Sequence, residues 1–345
     1  MFYAVNDSLI VDKLYFNFLP SWCNKNYGIC LGEKFFFDAD YRVKIIMELD
    51  RIVAERLPSL HIGSKNPKPQ VIQPELHNAV TPAAAGCEII YPDDAYPCNG
   101  HISDDEILQL QPVTHLLTMF PYNEIVSQVN YLNRKLNTSI QPFIHPRGPL
   151  NDSILIKGFE FFGDLLNPNS ASKHLMNFCF SISSAAIKHD RNDFGFNDLI
   201  WLANCTTEMI GPNTYNKLMF DYDAKLYDLI TRNQKEFGIH HCGLFDTFVE
   251  TYRKFKKIDW LEIGSPSDIK KALAAFPETT IQYIINTRFL QKASLDQVQQ
   301  MMQEILESAK SNLHRLRLHV ADIEYGTPDE TLTAIYKTCK KTAFR

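Results

Sequence analysis

Several signals are missing from this sequence of 345 residues, and each absence removes a class of protein. No CxxC pair occurs, and the eight cysteines stand far apart at positions 23, 30, 87, 98, 179, 205, 242 and 339. That spread, in a chain this long, does not make a secreted disulfide framework, so most thiols are expected reduced and buried. No GxGxxG or GxxxxGK[ST] follows an apolar run, which removes the dinucleotide fingerprint and the P-loop. The N-terminus MFYAVNDSLIVDKLYFNF has no basic region followed by an unbroken apolar stretch, and no later run reaches the length of a membrane span. The protein is therefore expected in the cytoplasm, with no membrane partner. Basic blocks are also absent and the net charge is −5, which argues against nucleic acid and leaves small molecules or proteins as partners.

What is present fits a large folded domain. Apolar residues make up 45% and charged residues 22%, enough to build a sizeable core. The opening 35 residues are aromatic-rich and read as irregular. DADYRVKIIMELDRIVAERL, residues 38 to 57, then shows apolar residues at helical spacing behind a capping Asp. After the polar loop GSKNPKPQ at 63 to 70, short apolar runs alternate with helical stretches. CEIIYP, HLLTMF, SIQPFIH, FGIHHCG, DWLEIG, TIQYIIN and RLRLHV read as strands, and residues 294 to 316 as a long helix. Strand then helix, repeated without hairpin signals, predicts a parallel sheet. The number of strands predicts an α/β fold of the (β/α)8 TIM barrel type, formed by residues 71–345, with residues 1–70 as an N-terminal helical extension packed on it. Nothing in the sequence fixes the oligomeric state, for which a homodimer is the working expectation.

In a barrel the chemistry sits at the C-terminal ends of the strands. Polar residues fall there repeatedly: His145, Arg147 and Gly148; Cys205; His240, His241 and Cys242; Glu262 and Gly264; Asn286 and Arg288; Asp322 and Glu324. Glu75, His77 and Asn78 precede an apolar turn and either line the mouth or cap the next segment. Asp93 and Asp94 read as loop residues.

The ordered stretches AAAGCEIIYPDDAYP, FIHPRGPLNDSILIKGFEFF, NCTTEMIGPNTYNKLMFDYDAKL, GIHHCG, DWLEIGSPSDI and DIEYGTPDETLTAI cover most of the chain after residue 70. They resemble the uroporphyrinogen decarboxylase superfamily, and within it the corrinoid-linked methyltransferase branch. The resemblance implies the same barrel fold. Decarboxylases of the porphyrin precursor carry an RQAGRY stretch near the N-terminus whose arginines hold an octacarboxylate. The first 60 residues here offer only Arg42, Arg51 and Arg56, all on the predicted helix, which disfavours that substrate.

The methyltransferases of the superfamily use zinc, held by His-x-Cys and a later cysteine, to activate a thiol. Residues i and i+2 of a strand share a face, so His240 and Cys242 suit such an ion while His241 points away. The family's later cysteine is replaced by Ala321, and Cys339 falls inside the last helix. The third ligand is expected to be Cys205, with Glu324 and then Glu75 behind it. Glu75, His77, His145, Asn204, Asn286 and Arg288 are the candidates for substrate binding. The resemblance thus implies a zinc-assisted methyl transfer between a corrinoid, free or on a partner corrinoid protein, and a thiol or pterin acceptor. A decarboxylase-like lyase and a non-catalytic corrinoid-binding barrel are the alternatives.

Overall fold

The computed structural model describes residues 1–8, 10 and 12–342. Its strands are β1 (Phe2–Ala4), β2 (Leu14–Phe18), β3 (Ile89–Ile90), β4 (Cys98–Asn99), β5 (Ile200–Ala203), β6 (Phe237–His241), β7 (Trp260–Gly264), β8 (Thr280–Asn286) and β9 (Leu316–Ile323). Seven of them form one sheet in the order β1-β2-β9-β8-β7-β6-β5, parallel throughout except for β1. Helices cover the outside of this curled sheet, as expected for parallel strands whose connections must cross over. The predicted helix at 38 to 57 forms as Ala39–Arg56, and the Asp38 carboxylate accepts from the Tyr41 amide at 2.9 Å. The long C-terminal helix forms as Leu295–Ser308 behind a Ser294–Gln297 capping box, then continues as a 3-10 stretch. Among the described residues, no helix is long and apolar enough to cross a membrane.

The N-terminal segment differs from the expectation of an irregular, helical extension. Leu14–Phe18 is a strand of the main sheet, paired in parallel with β9, so the division at residue 70 cuts through the sheet. It escapes sequence reading because four of its five residues are buried, and a strand covered on both faces shows no alternation. A β3–β4 hairpin forms as well, although no hairpin was expected, and CEIIYP contributes only two residues to it. HLLTMF is not a strand but a 3-10 turn at Leu116–Thr118; a short apolar run does not distinguish a strand from a buried turn.

SIQPFIH forms no strand, and the segment that follows it joins the sheet through a parallel bridge from Arg147 to Ala203 of β5. Pro142 and Pro146 each withhold an amide from a ladder. Side chains supply what is missing. Gln73 donates from Nε2 to the Phe143 carbonyl at 2.8 Å and accepts from the Phe143 amide at 2.9 Å, so the segment before Glu75 lies beside the segment bearing His145. On the other side the Ile144 amide donates to Asp190 Oδ1 at 3.0 Å.

Asp190 is fully buried, and burial pushes its carboxyl up to about 8 against the opposing pull of the Ile144 amide and Arg191. Among the described residues its other oxygen has no partner, which suits a neutral acid better than a charged one. The folded chain thus holds a proton that the unfolded chain releases above pH ~4. Stability from this group is complete below that pH and is lost as pH rises through about 8, by at most about 1.4 kcal/mol per pH unit. Urea unfolding of Asp190→Asn is expected to show a shallower loss of stability between pH 6 and 9 than wild type; parallel curves would refute the assignment.

Candidate metal centre

The parallel register of β5, β6 and β7 brings Ala203, His240 and Glu262 side by side. These positions face the inside of the curled sheet, where Trp201 and Trp260 lie one step below with ring centroids 5.7 Å apart. His240 and Cys242 share this inner face. His241 points outward, is fully buried, and is hydrogen-bonded through Nδ1 to the Tyr252 hydroxyl at 2.9 Å.

Cys205 follows β5 on a turn fastened by two asparagines. Asn151 donates from Nδ2 to the Ala203 carbonyl at 2.7 Å and accepts from the Thr206 amide at 2.9 Å. The Asn204 amide donates to the His240 carbonyl at 2.9 Å, continuing the ladder to the turn. As a result one ligand atom from each of Cys205, His240 and Cys242 lies within 4.8 Å of the other two. Cys339 is fully buried at a distance from this cluster, in the last helix. Glu324 follows β9, half-buried, and supplies no atom to the cluster, nor does Glu75. The expectation of Glu324 as a ligand therefore finds no geometric support.

A buried carboxylate sets the orientation of His240. Glu262 is 2% exposed, and its Oε2 is hydrogen-bonded to His240 Nδ1. Its Oε1 accepts from His319 Nδ1 at 2.8 Å and from Gln282 Nε2 at 2.6 Å. Burial disfavours the Glu262 charge, but the two histidines outweigh it and hold the carboxyl well below its usual range. For His240 burial again opposes the charge, and Glu262 and Cys205 together raise its pKa. Cys242 hydrogen-bonds to the Cys205 sulfur, which lowers the Cys205 pKa against the cost of burial and raises that of Cys242.

The donor set fits zinc. Two sulfurs and an imidazole nitrogen make a three-ligand site with room for one exogenous ligand. With Nδ1 taken by Glu262, His240 has Nε2 to offer, an arrangement in which a carboxylate behind the ring fixes its orientation and raises its basicity.

The remaining candidates are distributed around this cluster. His145 packs against Trp201 with centroids 3.6 Å apart and the rings tilted by 54°, and Trp201 in turn lies 5.4 Å from His240. Burial keeps His145 neutral, and its Nε2 has no partner. His77 packs on Tyr96 at 3.9 Å and is pushed down to about 3 by burial, while burial raises the Glu75 carboxyl. Asn204 donates from Nδ2 to Asp223 at 2.7 Å, while its buried Oδ1 has no partner among the described residues. Asn286 accepts from the Arg288 amide at 3.0 Å and so caps a short helix; both residues are exposed.

Residues 77–342 match the family model described as uroporphyrinogen decarboxylase (URO-D). The chain belongs to the URO-D family. Its fold is similar to that of a methyltransferase from Methanosarcina mazei, with a TM-score of 0.64 over 95% of this chain and 94% of that one, at 13% sequence identity. No curated protein matches the sequence. The URO-D match begins at residue 77, so β2 lies outside it although it belongs to the same sheet.

Sequence reasoning placed Glu262 at a strand end but did not see it as an orienting group, and it did not single out His319 and Gln282, its partners. A charged residue inside the apolar run DWLEIG was the available signal, because a buried carboxylate needs partners.

Two glycines shape the turn that carries Cys242. A Cβ on Gly264 would lie 1.8 Å from the Cys242 carbonyl oxygen, and one on Gly243 would lie 1.5 Å from a Glu208 carboxylate oxygen. The second clash is with a flexible side chain, whereas the first is with backbone. Gly264→Ala is expected to displace Cys242, weakening zinc binding by about tenfold or more and costing about 1–3 kcal/mol of stability. Metal competition with a chelating dye and thermal unfolding measure both; unchanged zinc affinity would show that the close approach does not position the ligand.

Proposed function

We propose that the protein is a methyltransferase that moves a methyl group between a corrinoid and a thiol acceptor, assisted by zinc held by Cys205, His240 and Cys242. The observation that carries this reading is the cluster itself, two sulfurs and an oriented imidazole within 4.8 Å at the C-terminal ends of β5 and β6. Membership of the URO-D family and the likeness in fold to a methyltransferase support it. Bound there, zinc would supply the Lewis acidity that lowers the pKa of an acceptor thiol toward neutral. A sulfur acceptor makes better use of such a site than a pterin does.

The chain's own residues prepare the site. Glu262 holds the His240 ring through Nδ1, and His319 and Gln282 hold Glu262. Trp201, Trp260 and the neutral His145 wall the inner side with rings, limiting the water around the reacting groups. In the reaction the acceptor S–H gives up its proton, the sulfur–methyl bond forms, and the methyl–cobalt bond breaks with its electron pair left on cobalt. The corrinoid, free or on a partner protein, is a substrate in this scheme.

Decarboxylation of an octacarboxylate is disfavoured by the same residues that the sequence left available for it. Arg42 is 1% exposed and spent on the Ile72, Phe35 and Phe36 carbonyls and on Gln128. Arg56 pairs with Asp329 at 2.7 Å. Neither of these two arginines is free to hold a substrate carboxylate, and the third, Arg51, is a lone exposed arginine on the same helix.

Purified without chelator, the protein is expected to hold about one zinc per chain. Cys205→Ser is expected to weaken zinc by about tenfold or more, whereas Cys339→Ser leaves it unchanged. Cys242→Ala is expected to abolish methyl transfer from methylcobalamin to a thiol, followed by the change in cobalamin absorption. Transfer at the wild-type rate in Cys242→Ala would reject the mechanism.

A further inference from the structure

The helix Ala39–Arg56 carries two apolar stripes. Ile45, Leu49 and Val53 enter the main core. Val43 and Met47 instead join Ala39, Leu132 and Val71 in a small cluster apart from that core. One stripe is enough to hold a surface helix to its domain, so the second calls for a reason of its own.

A cavity of about 370 Å³ opens over that second stripe. Val43, Met47, Leu132 and Leu136 give it an apolar lining, together with Pro69 from the loop after the helix. Val43 and Leu132 are buried while Met47 and Leu136 are half-buried, so the floor is apolar and open to solvent. One end is tied. Asp40 Oδ2 accepts from the Tyr131 hydroxyl at 2.9 Å and from Lys135 Nζ at 2.7 Å, which joins the start of this helix to the end of the helix Tyr122–Leu136.

Asp40 and Lys135 neutralise each other, and the charges left in the lining are Lys44, Glu48 and Arg51. Lys68 stands next to Pro69 and is exposed. Among the described residues, none of these four side chains makes a hydrogen bond or an ion pair. Three cations against one carboxylate make the rim locally positive, in a chain whose net charge is −5. Arg51 follows Asp40 by three turns, roughly 16 Å along the helix, so it stands at the end away from the tie. At about 30 Å³ per heavy atom the cavity has room for roughly twelve heavy atoms, the size of a small ligand. A specific protein interface needs far more surface, about 800 Å² per partner.

We propose that this cavity binds a small amphipathic anion, an apolar chain of about eight to ten carbons that carries one carboxylate. The chain lies on Val43, Met47, Leu132 and Leu136, and the carboxylate faces the Lys44 and Arg51 side of the rim. No residue of the cavity belongs to the metal cluster, so the proposal stands independently of methyl transfer.

The test is calorimetric titration of the full-length protein with octanoate and with its neutral counterpart octan-1-ol. Wild type is expected to bind one octanoate per chain, and to bind the alcohol about tenfold more weakly. Lys44→Glu/Arg51→Glu is expected to weaken octanoate by about tenfold while leaving the alcohol within about twofold. Met47→Trp fills the cavity and is expected to abolish binding of both ligands. Leu136→Trp fills it from the other helix and replaces Met47→Trp if circular dichroism shows that variant unfolded. No octanoate binding by wild type, equal binding of acid and alcohol, or octanoate binding that survives the filled cavity overturns the proposal. Sedimentation of wild type and the filled variant separates the remaining occupant: a wild-type dimer that the filled variant loses would make this face an interface between copies, and would overturn the ligand reading.

Discussion

A carboxylate buried inside the curled sheet governs the arrangement of the candidate site. Glu262 sits on β7 inside the sheet, 2% exposed, and a lone charge there would be costly. Three side chains from three other strands repay that cost: His240 on β6, Gln282 on β8 and His319 on β9. The pairing does more than satisfy Glu262. By taking Nδ1 of His240 it fixes the ring and leaves Nε2 as the nitrogen available to a metal. An interior histidine is thus held in one orientation beside the two sulfurs.

The two cysteines are brought to that nitrogen by backbone, and the backbone is held by small and polar residues. Gly264 lets the Cys242 turn lie directly on the end of β7. Asn151 and the Asn204 amide fasten the Cys205 turn to β5 and β6. Asn151 and Asp152 are adjacent on one helix, so the element that secures the Cys205 turn also orients Arg147. The turn that carries Cys205 and the Arg147 guanidinium are therefore both tied to one helix.

Much of this was legible in the sequence where a short-range rule applied. The strand period of two put His240 and Cys242 on one face and His241 on the other. Helical spacing and a capping Asp located Ala39–Arg56. Cys205 was reachable because NCTTEMIGP follows an apolar run and this chain has Ala321 where the family pattern has its later cysteine. Features that depend on pairing between distant segments were not legible. β2 is buried on both faces and shows no alternation, and its partner β9 is some 300 residues away in sequence. SIQPFIH looked like a strand, but its prolines break the ladder, and Gln73 and Asp190 replace the missing bonds from afar. Asn204 was read as facing a substrate and instead binds Asp223, a choice only tertiary structure makes.

The claim at the centre of this account is that Cys205 completes a metal set with His240 and Cys242. Cobalt(II) substituted for zinc reports the number of thiolate ligands through the intensity of its sulfur-to-metal charge-transfer absorption in the near ultraviolet. The account predicts an intensity typical of two thiolates per cobalt in the wild type, about half of it in Cys205→Ser, and no change in Cys339→Ser. An intensity unaffected by Cys205→Ser, with cobalt still bound at full occupancy, would contradict it.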